Sequence, residues 1–243
     1  MSFVINPYRF GGAPPSTDFG NASRDFDSAV PDYLTVADGA WIPTGAQTWM
    51  CWLKAETLLN AAVFNHNVGT GDNRSVAITA FADTSMSAFV SENGETALGG
   101  RAVNAVSSTG VYSTGTWVHV ALVYTPNTAT DGLELFIDGV SSVTESTLNV
   151  DFLYDSTYDI GIGANGTGAA PFNGKMADCR IYDAVLTAAN IADIVAGDAF
   201  SETNLIGWWL RNTDDLDDYA AVPHDATEGA GSSSAFDTDG PLD

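Results

Sequence analysis

Three groups of acidic residues in this 243-residue chain have the types needed for hydrolysis or ion binding. Glu134 and Asp138 share the run Glu134-Leu135-Phe136-Ile137-Asp138. A carboxylate pair can cleave a glycosidic bond, but the retaining reaction needs the two about 5–5.5 Å apart. Four strand residues separate these, roughly 13 Å at about 3.4 Å per residue, so they do not act on one bond. Asp138 is also placed to be consumed by a turn. Asp237-Thr238-Asp239-Gly240 has the start of an EF-hand loop, but the sequence stops before the twelfth position that would supply the bidentate Glu. The run containing Asp214, Asp215, Asp217 and Asp218 reads as a solvated loop.

Other reactive constellations are missing. There is no Gly-X-Ser-X-Gly elbow. His66, His119 and His224 are isolated, so no zinc-binding pair at helical spacing exists. His119 lies in an apolar run and is expected to be a buried, hydrogen-bonded core histidine. Gly161-X-Gly163-X-X-Gly166 has dinucleotide-loop spacing but lies in no βαβ unit and precedes no helix. Cys51 and Cys179 fit neither a disulfide framework nor a metal spacing; the sequence leaves a bond between them open, and two reduced, buried thiols are expected.

Charge narrows the partners. There are 31 acidic and 8 basic residues, a formal net charge of -23. Such a polyanion repels phosphate backbones and anionic bilayers, so no nucleic acid and no membrane partner is expected. Cations, neutral glycans and protein surfaces remain. The opening Met1–Phe10 lacks a charged n-region followed by an apolar stretch, so no secretory signal is read and synthesis in a cytoplasm is expected.

The elements that would position any site are short β-type runs. They are Tyr33–Val36, Thr48–Leu53, Ala61–Phe64, Ser75–Phe81, Ser87–Val90, Trp117–Tyr124, Leu133–Ile137, Val140–Thr144, Tyr158–Gly163, Lys175–Tyr182 and Leu205–Leu210. Trp117–Tyr124 is apolar on both faces, as in a central covered strand. Asp138-Gly139 predicts a type I′ hairpin, with φ > 0 at both central residues. Thr187 caps one helix, whose stripe is Ile191, Ile194 and Val195 and whose end is Gly197. Residues 1–31 read as irregular, and the last thirty as a loose tail or surface strap. In domain terms, 1–24 form an N-terminal arm, 25–211 one β-sandwich, and 212–243 an acidic strap or tail packed on it.

Four segments together carry a family resemblance. Phe26-Asp27-Ser28-Ala29-Val30-Pro31-Asp32-Tyr33-Leu34-Thr35-Val36 matches FDGxxDYVxV. Gln47–Lys54 matches a strand ending in Trp, Trp117–Tyr124 with Leu133–Gly139 matches WxHVAxxY…xLxLYxDG, and Phe172–Ile191 matches FxGxIDDvRIYxraLsaaeI. In this order they resemble the laminin-G-like branch of the concanavalin A-like lectin/glucanase superfamily. A segment that precedes the first motif in many relatives has its counterpart here at Gly207-Trp208-Trp209-Leu210, after the helix, where it is expected to close the same sandwich.

The resemblance implies an all-β fold: a two-sheet antiparallel β-sandwich of jelly-roll type with one short helix. It implies Ca2+ as a candidate cofactor, with Asp27 and Asp178 as rim ligands. Ser28 and Ala177 replace the family's usual Gly and Ile. For glycan binding, the aromatics in turn-rich contexts are Trp41, Tyr112, Phe152 and Tyr154. The expected function is a non-catalytic lectin-like recognition or structural module. Its Asn6-Pro7-Tyr8 opening is similar to that of some phage structural proteins. The expected setting is therefore the surface of a virion or similar particle, as a decoration or adhesion protein touching glycan, protein or other virion components, with homo-oligomers allowed. The alternatives are a polysaccharide-degrading enzyme of the same fold and a structural oligomer without ligand.

Overall fold

The computed structural model describes residues 22–67, 73–95, 102–126, 132–145, 150–197, 201–211 and 214–242. These residues form two antiparallel sheets packed face to face, with one helix on the outside. The first sheet runs β10 (Val140–Glu145), β9 (Leu133–Ile137), β8 (Trp117–Tyr124), β3 (Gln47–Ala55), β12 (Gly174–Tyr182), β1 (Ser23–Phe26) and β15 (Ala235–Asp237). β13 (Leu205–Trp209) pairs with β12 at its other end, beside β1. The second sheet runs β14 (Ala226–Glu228), β2 (Leu34–Val36), β11 (Ile160–Ile162), β4 (Ala61–Asn67), β5 (Arg74–Ala80), β6 (Met86–Gly94) and β7 (Ala102–Val106).

Alternating inward residues make the main core. Trp49, Cys51 and Leu53 of β3 and Val118, Val120 and Leu122 of β8 meet Val76, Ile78, Ala88 and Val90 from the opposite sheet. Trp209 of β13 lies in this core, so the late Trp-Trp strand closes the same sandwich as expected. Cys51 and Cys179 are both free and buried. β8 is buried on both faces because a second cluster covers its outer side: Ala121, Val123, Phe136, Tyr182 and Trp208 under Ile191 and Ile194 of α1 (Ala188–Val195). α1 spans only eight residues and would be marginal alone, so docking holds it. Thr187 and Asn190 form a capping box at its start. The hairpin takes the expected turn, with φ of 49° at Asp138 and 77° at Gly139.

The ends of the chain correct two readings. Residues 23–26, read as part of an irregular arm, are β1 of the first sheet. The tail contributes one strand to each sheet: β14 pairs with β2, and β15 with β1. Residues 1–21 of the arm lie outside the described residues.

Basic side chains hold this C-terminal strap. Both lysines of the chain reach Asp239: Lys54 Nζ lies 2.8 Å and Lys175 Nζ 3.0 Å from Oδ2. Lys175 also lies 2.9 Å from Asp237. Arg24 donates to Glu228 at 2.7 Å and to Ser234 Oγ at 2.5 Å. The Lys54 ammonium holds the Asp239 carboxyl down at about 2. Asp239→Asn should lower stability by about 1 kcal/mol, because the site is partly solvated, seen as a melting temperature about 2–4 °C lower. The wild-type advantage should be full above about pH 4 and fade as the pH drops toward 2, since the folded carboxyl is the stronger acid. Equal melts at neutral pH would show that the clamp adds nothing.

Candidate functional site

The outward row of the second sheet can be read across all seven strands. Thr227 pairs with Thr35, Thr35 with Gly161, Gly161 with Asn65, Asn65 with Ala77, Ala77 with Phe89, and Phe89 with Asn104. Their flanking residues, such as Leu34, Val36, Ile160, Ile162, Ile78 and Ala88, point into the core. The row is small, polar and uncharged, with one aromatic ring. Part of it is covered. A Cβ on Gly161 would stand 2.2 Å from the Ala164 carbonyl oxygen, so only glycine lets the following loop cross there. Asn65 Nδ2 donates to that carbonyl at 3.0 Å.

Beside this sheet runs a rim loop, residues 150–159, in which aromatic and acidic residues interleave: Asp151, Phe152, Tyr154, Asp155, Tyr158 and Asp159. Its backbone is pinned. Leu153 N–H donates to Thr44 O and Tyr154 N–H to Ser91 O, both at 2.7 Å. Asp151 N–H donates to Glu92 Oε2 at 3.1 Å, and Ser156 Oγ to Asn73 O at 3.2 Å. Phe152 is 49% and Tyr158 38% exposed, and Tyr154 is half-buried. Beneath the loop, the buried His66 places Nε2 3.2 Å from Asp38 Oδ1. Burial pulls the His66 pKa down, against the pull of Asp38 and Asp155.

The other two aromatic candidates are not in this group. Trp41 stacks on His224, with ring centroids 4.0 Å apart, and donates to Ala37 O, so one ring face is already covered. Tyr112 is buried, and its hydroxyl donates to Phe81 O at 2.6 Å. Glu134 pairs with Ser141, and Asp138 accepts the His119 N–H at 2.8 Å, so neither joins a catalytic pair.

The two acids carried over from the family do not meet. Phe26 stands opposite Gly174, so Asp178 lies five residues along β12 from the level of Asp27, roughly 17 Å at about 3.4 Å per residue. Asp27 is exposed and accepts the Ala29 N–H at 2.8 Å, holding its own turn. Asp178 is fully buried. Its Oδ1 accepts Arg180 Nε at 2.7 Å and Trp208 Nε1 at 2.6 Å. A guanidinium at that distance competes with a cation, so these two residues do not fit a calcium ion. Asp237 and Asp239 are taken by lysines. Among the described residues no three His, Cys, Asp or Glu side chains gather as a metal site. Asp218, read as part of a solvated run, is buried and accepts the Trp208, Ala220 and His224 N–H groups.

Asp178 is instead the hinge of a buried polar network. It takes φ of 54° at an irregularity where β12 leaves register with β3. Arg180 and Arg211 both lie over the Trp208 ring, at 4.7 and 4.5 Å. His119 is buried as expected, but its ring has no hydrogen-bond partner among the described residues. It packs edge-on to Trp52 instead. Burial, with help from Arg180, drives the His119 pKa down to about 3, so it is neutral.

This two-sheet antiparallel sandwich has the concanavalin A-like architecture. The laminin-G family model, described as concanavalin A-like lectin/glucanases superfamily, matches residues 28–192, and the chain belongs to that superfamily. Among curated proteins none matches the sequence. A candidate carbohydrate-binding protein from Bacteroides ovatus is similar in structure, with a TM-score of 0.66 at 13% identity over 90% of this chain. This chain spans 60% of that protein's length. A heptameric SAP-like pentraxin from Limulus polyphemus aligns over 88% of this chain and 96% of its own, with a TM-score of 0.56 at 12% identity. At such identities the likeness is one of fold.

Asp178→Ala would leave Arg180 buried without its carboxylate and should cost about 3–5 kcal/mol. The double variant Asp178→Leu/Arg180→Met should recover much of that loss in chemical denaturation. A single variant as stable as wild type would show that the pair is not a structural hinge.

Proposed function

We propose that the protein is a non-catalytic glycan-recognition module that binds neutral saccharide chains at its rim loop. The observation that carries this reading is the pinned loop 150–159, which exposes Phe152 and Tyr158 among three exposed acids. Aromatic faces supply apolar contact to sugar rings, and carboxylates accept from their hydroxyls. A loop fixed by backbone hydrogen bonds loses little freedom on binding. The net charge of -23 disfavours sulfated or acidic glycans. The uncharged row across the second sheet supports a binding role over hydrolysis, because it offers no carboxylate pair. The likeness to a candidate carbohydrate-binding protein adds support at the level of fold.

On an array carrying neutral and acidic glycans, the wild type should bind neutral structures. Phe152→Ala should weaken that binding about tenfold without moving the melting temperature. Binding only to acidic glycans would overturn the reading, release of reducing ends would favour a hydrolase, and no binding with a discrete oligomer would favour a structural assembly. We also propose display on the surface of a virion or similar particle, on the support of the acidic surface and the Asn6-Pro7-Tyr8 opening. In that reading residues 1–24 anchor the domain to its neighbours, so deleting residues 1–21, which spares β1, should block incorporation into the particle, and unchanged incorporation would sink the anchor.

A further inference from the structure

A histidine is sealed at the seam where the rim loop meets the body. Alternation along β4 turns His66 inward, opposite Val76 of β5. The residue is 1% exposed. Its Nε2 stands 3.2 Å from Asp38 Oδ1, on the segment after β2. Asp155 and the Tyr158 backbone approach the ring from the rim loop. That segment and the loop are also joined directly, since Asp38 N–H donates to Asp159 Oδ1 at 3.1 Å. His66 is therefore the point at which β4, the segment after β2 and the rim loop come together.

A neutral imidazole carries one N–H, so it can donate toward Asp38 or toward Tyr158 but not both. Among the described residues neither ring nitrogen, nor Asp38 Oδ1, makes a hydrogen bond of good geometry. Enclosure holds the ring, and the groups around it decide what a second proton does. Asp38 and Asp155 favour the imidazolium. From β5, Arg74 stands opposite Asn67, the next residue, and adds positive charge on that side. β11, the other neighbour of β4, carries no ionisable side chain. Burial outweighs the two carboxylates and pulls His66 below the ordinary histidine value of about 6.5. Once the loop lifts and water reaches the ring, the ordinary value returns. The open loop then takes up a proton more readily than the closed one, so acid favours opening. The advantage of the closed state is full above about pH 6.5 and shrinks as the pH falls below it.

We propose that His66 is a proton-operated clasp that holds the rim loop closed at neutral pH and releases it in acid. The bonds to be released are few: Leu153 N–H to Thr44 O, Tyr154 N–H to Ser91 O, and Ser156 Oγ to Asn73 O. The core strands do not depend on them, because β3 and β8 pair along their whole shared length. A loop held by so few bonds can open without global unfolding. The clasp is a property of the loop whatever the loop holds. Release of a bound glycan in acid is a further consequence, and it rests on the function proposed above.

Hydrogen exchange on the full chain, followed amide by amide between pH 7.5 and 5.0 and corrected for intrinsic exchange, reads the clasp directly. Protection at Leu153 and Tyr154 should fall about tenfold, while protection at Val120 and Leu122 of β8 stays constant. His66→Gln keeps a donor and an acceptor but cannot take the proton, so it should abolish the pH dependence. Asp38→Asn removes a carboxylate that favours the imidazolium, so it should deepen the loss. An NMR titration of the wild-type His66 ring needs no variant and should give a midpoint below that of free histidine. Four results would overturn the proposal: loop protection that does not change with pH, an equal loss in β8, a His66 midpoint at or above that of free histidine, or an unchanged pH dependence in His66→Gln. Glycan binding measured at both pH values separates the two readings. A protein that binds no glycan at either pH, yet loses loop protection in acid, keeps the clasp and removes the glycan reading.

Discussion

The attraction between a few cations and the acidic C-terminal strap closes both sheets at one side. β14 and β15 are three residues each, too short to hold by ladder hydrogen bonds alone. Without them β1 and β2 would be bare edges, and a bare edge invites pairing with another chain. A chain with 8 basic residues spends Lys54, Lys175 and Arg24 on this closure. The strap also carries Gly229, whose missing Cβ lets the Tyr33 ring pass 2.2 Å from where one would stand. The overall negative charge therefore does not sit evenly on the surface. It is neutralised where the fold must close and left free at the loops.

A second constraint acts inside the first sheet. The irregularity at Asp178 lets β12 pair with β1 at one end and β13 at the other. Trp208 and Trp209 then point to opposite faces, one beneath α1 and one into the main core. The Asp178 carboxylate meets Arg180 and Trp208 at the crossing, where an unpaired charge would be costly. That crossing sets the end of β12, and so the floor on which α1 rests.

Much of this was legible in the sequence because strong patterns are local. The doubly apolar Trp117–Tyr124, the Asp138-Gly139 turn and the Thr187 cap each state their structure within a few residues. β1, β7, β14 and β15 were missed for the opposite reason. Ser23–Phe26, Ala102–Val106, Ala226–Glu228 and Ala235–Asp237 are short and weakly alternating, and they become strands only because a long-range partner is waiting. The candidate aromatics show the same limit. Trp41, Tyr112, Phe152 and Tyr154 share turn-rich contexts, yet burial by distant residues separates them. Tyr112 is taken by Phe81 and Trp41 by His224, while Phe152 is left in solvent. His119 was rightly placed in the core, but its missing hydrogen bond depends on Trp52 and Arg180, which no local pattern reveals. The interleaved acids of residues 151–159 were a usable signal that single-residue reading passed over.

The rim loop and the cavity beside α1 belong to different parts of the sandwich. The rim loop is tied to β6 and to the segments before β3 and β5, beside the second sheet. The cavity belongs to the α1 side of the first sheet. On the proposed reading, a shallow loop that exposes Phe152 and Tyr158 would draw its strength from repeated weak contacts and not from one deep pocket. A sandwich whose core is sealed by aromatic strands suits that mode, since a loop pinned by backbone hydrogen bonds does not need the sheets to move.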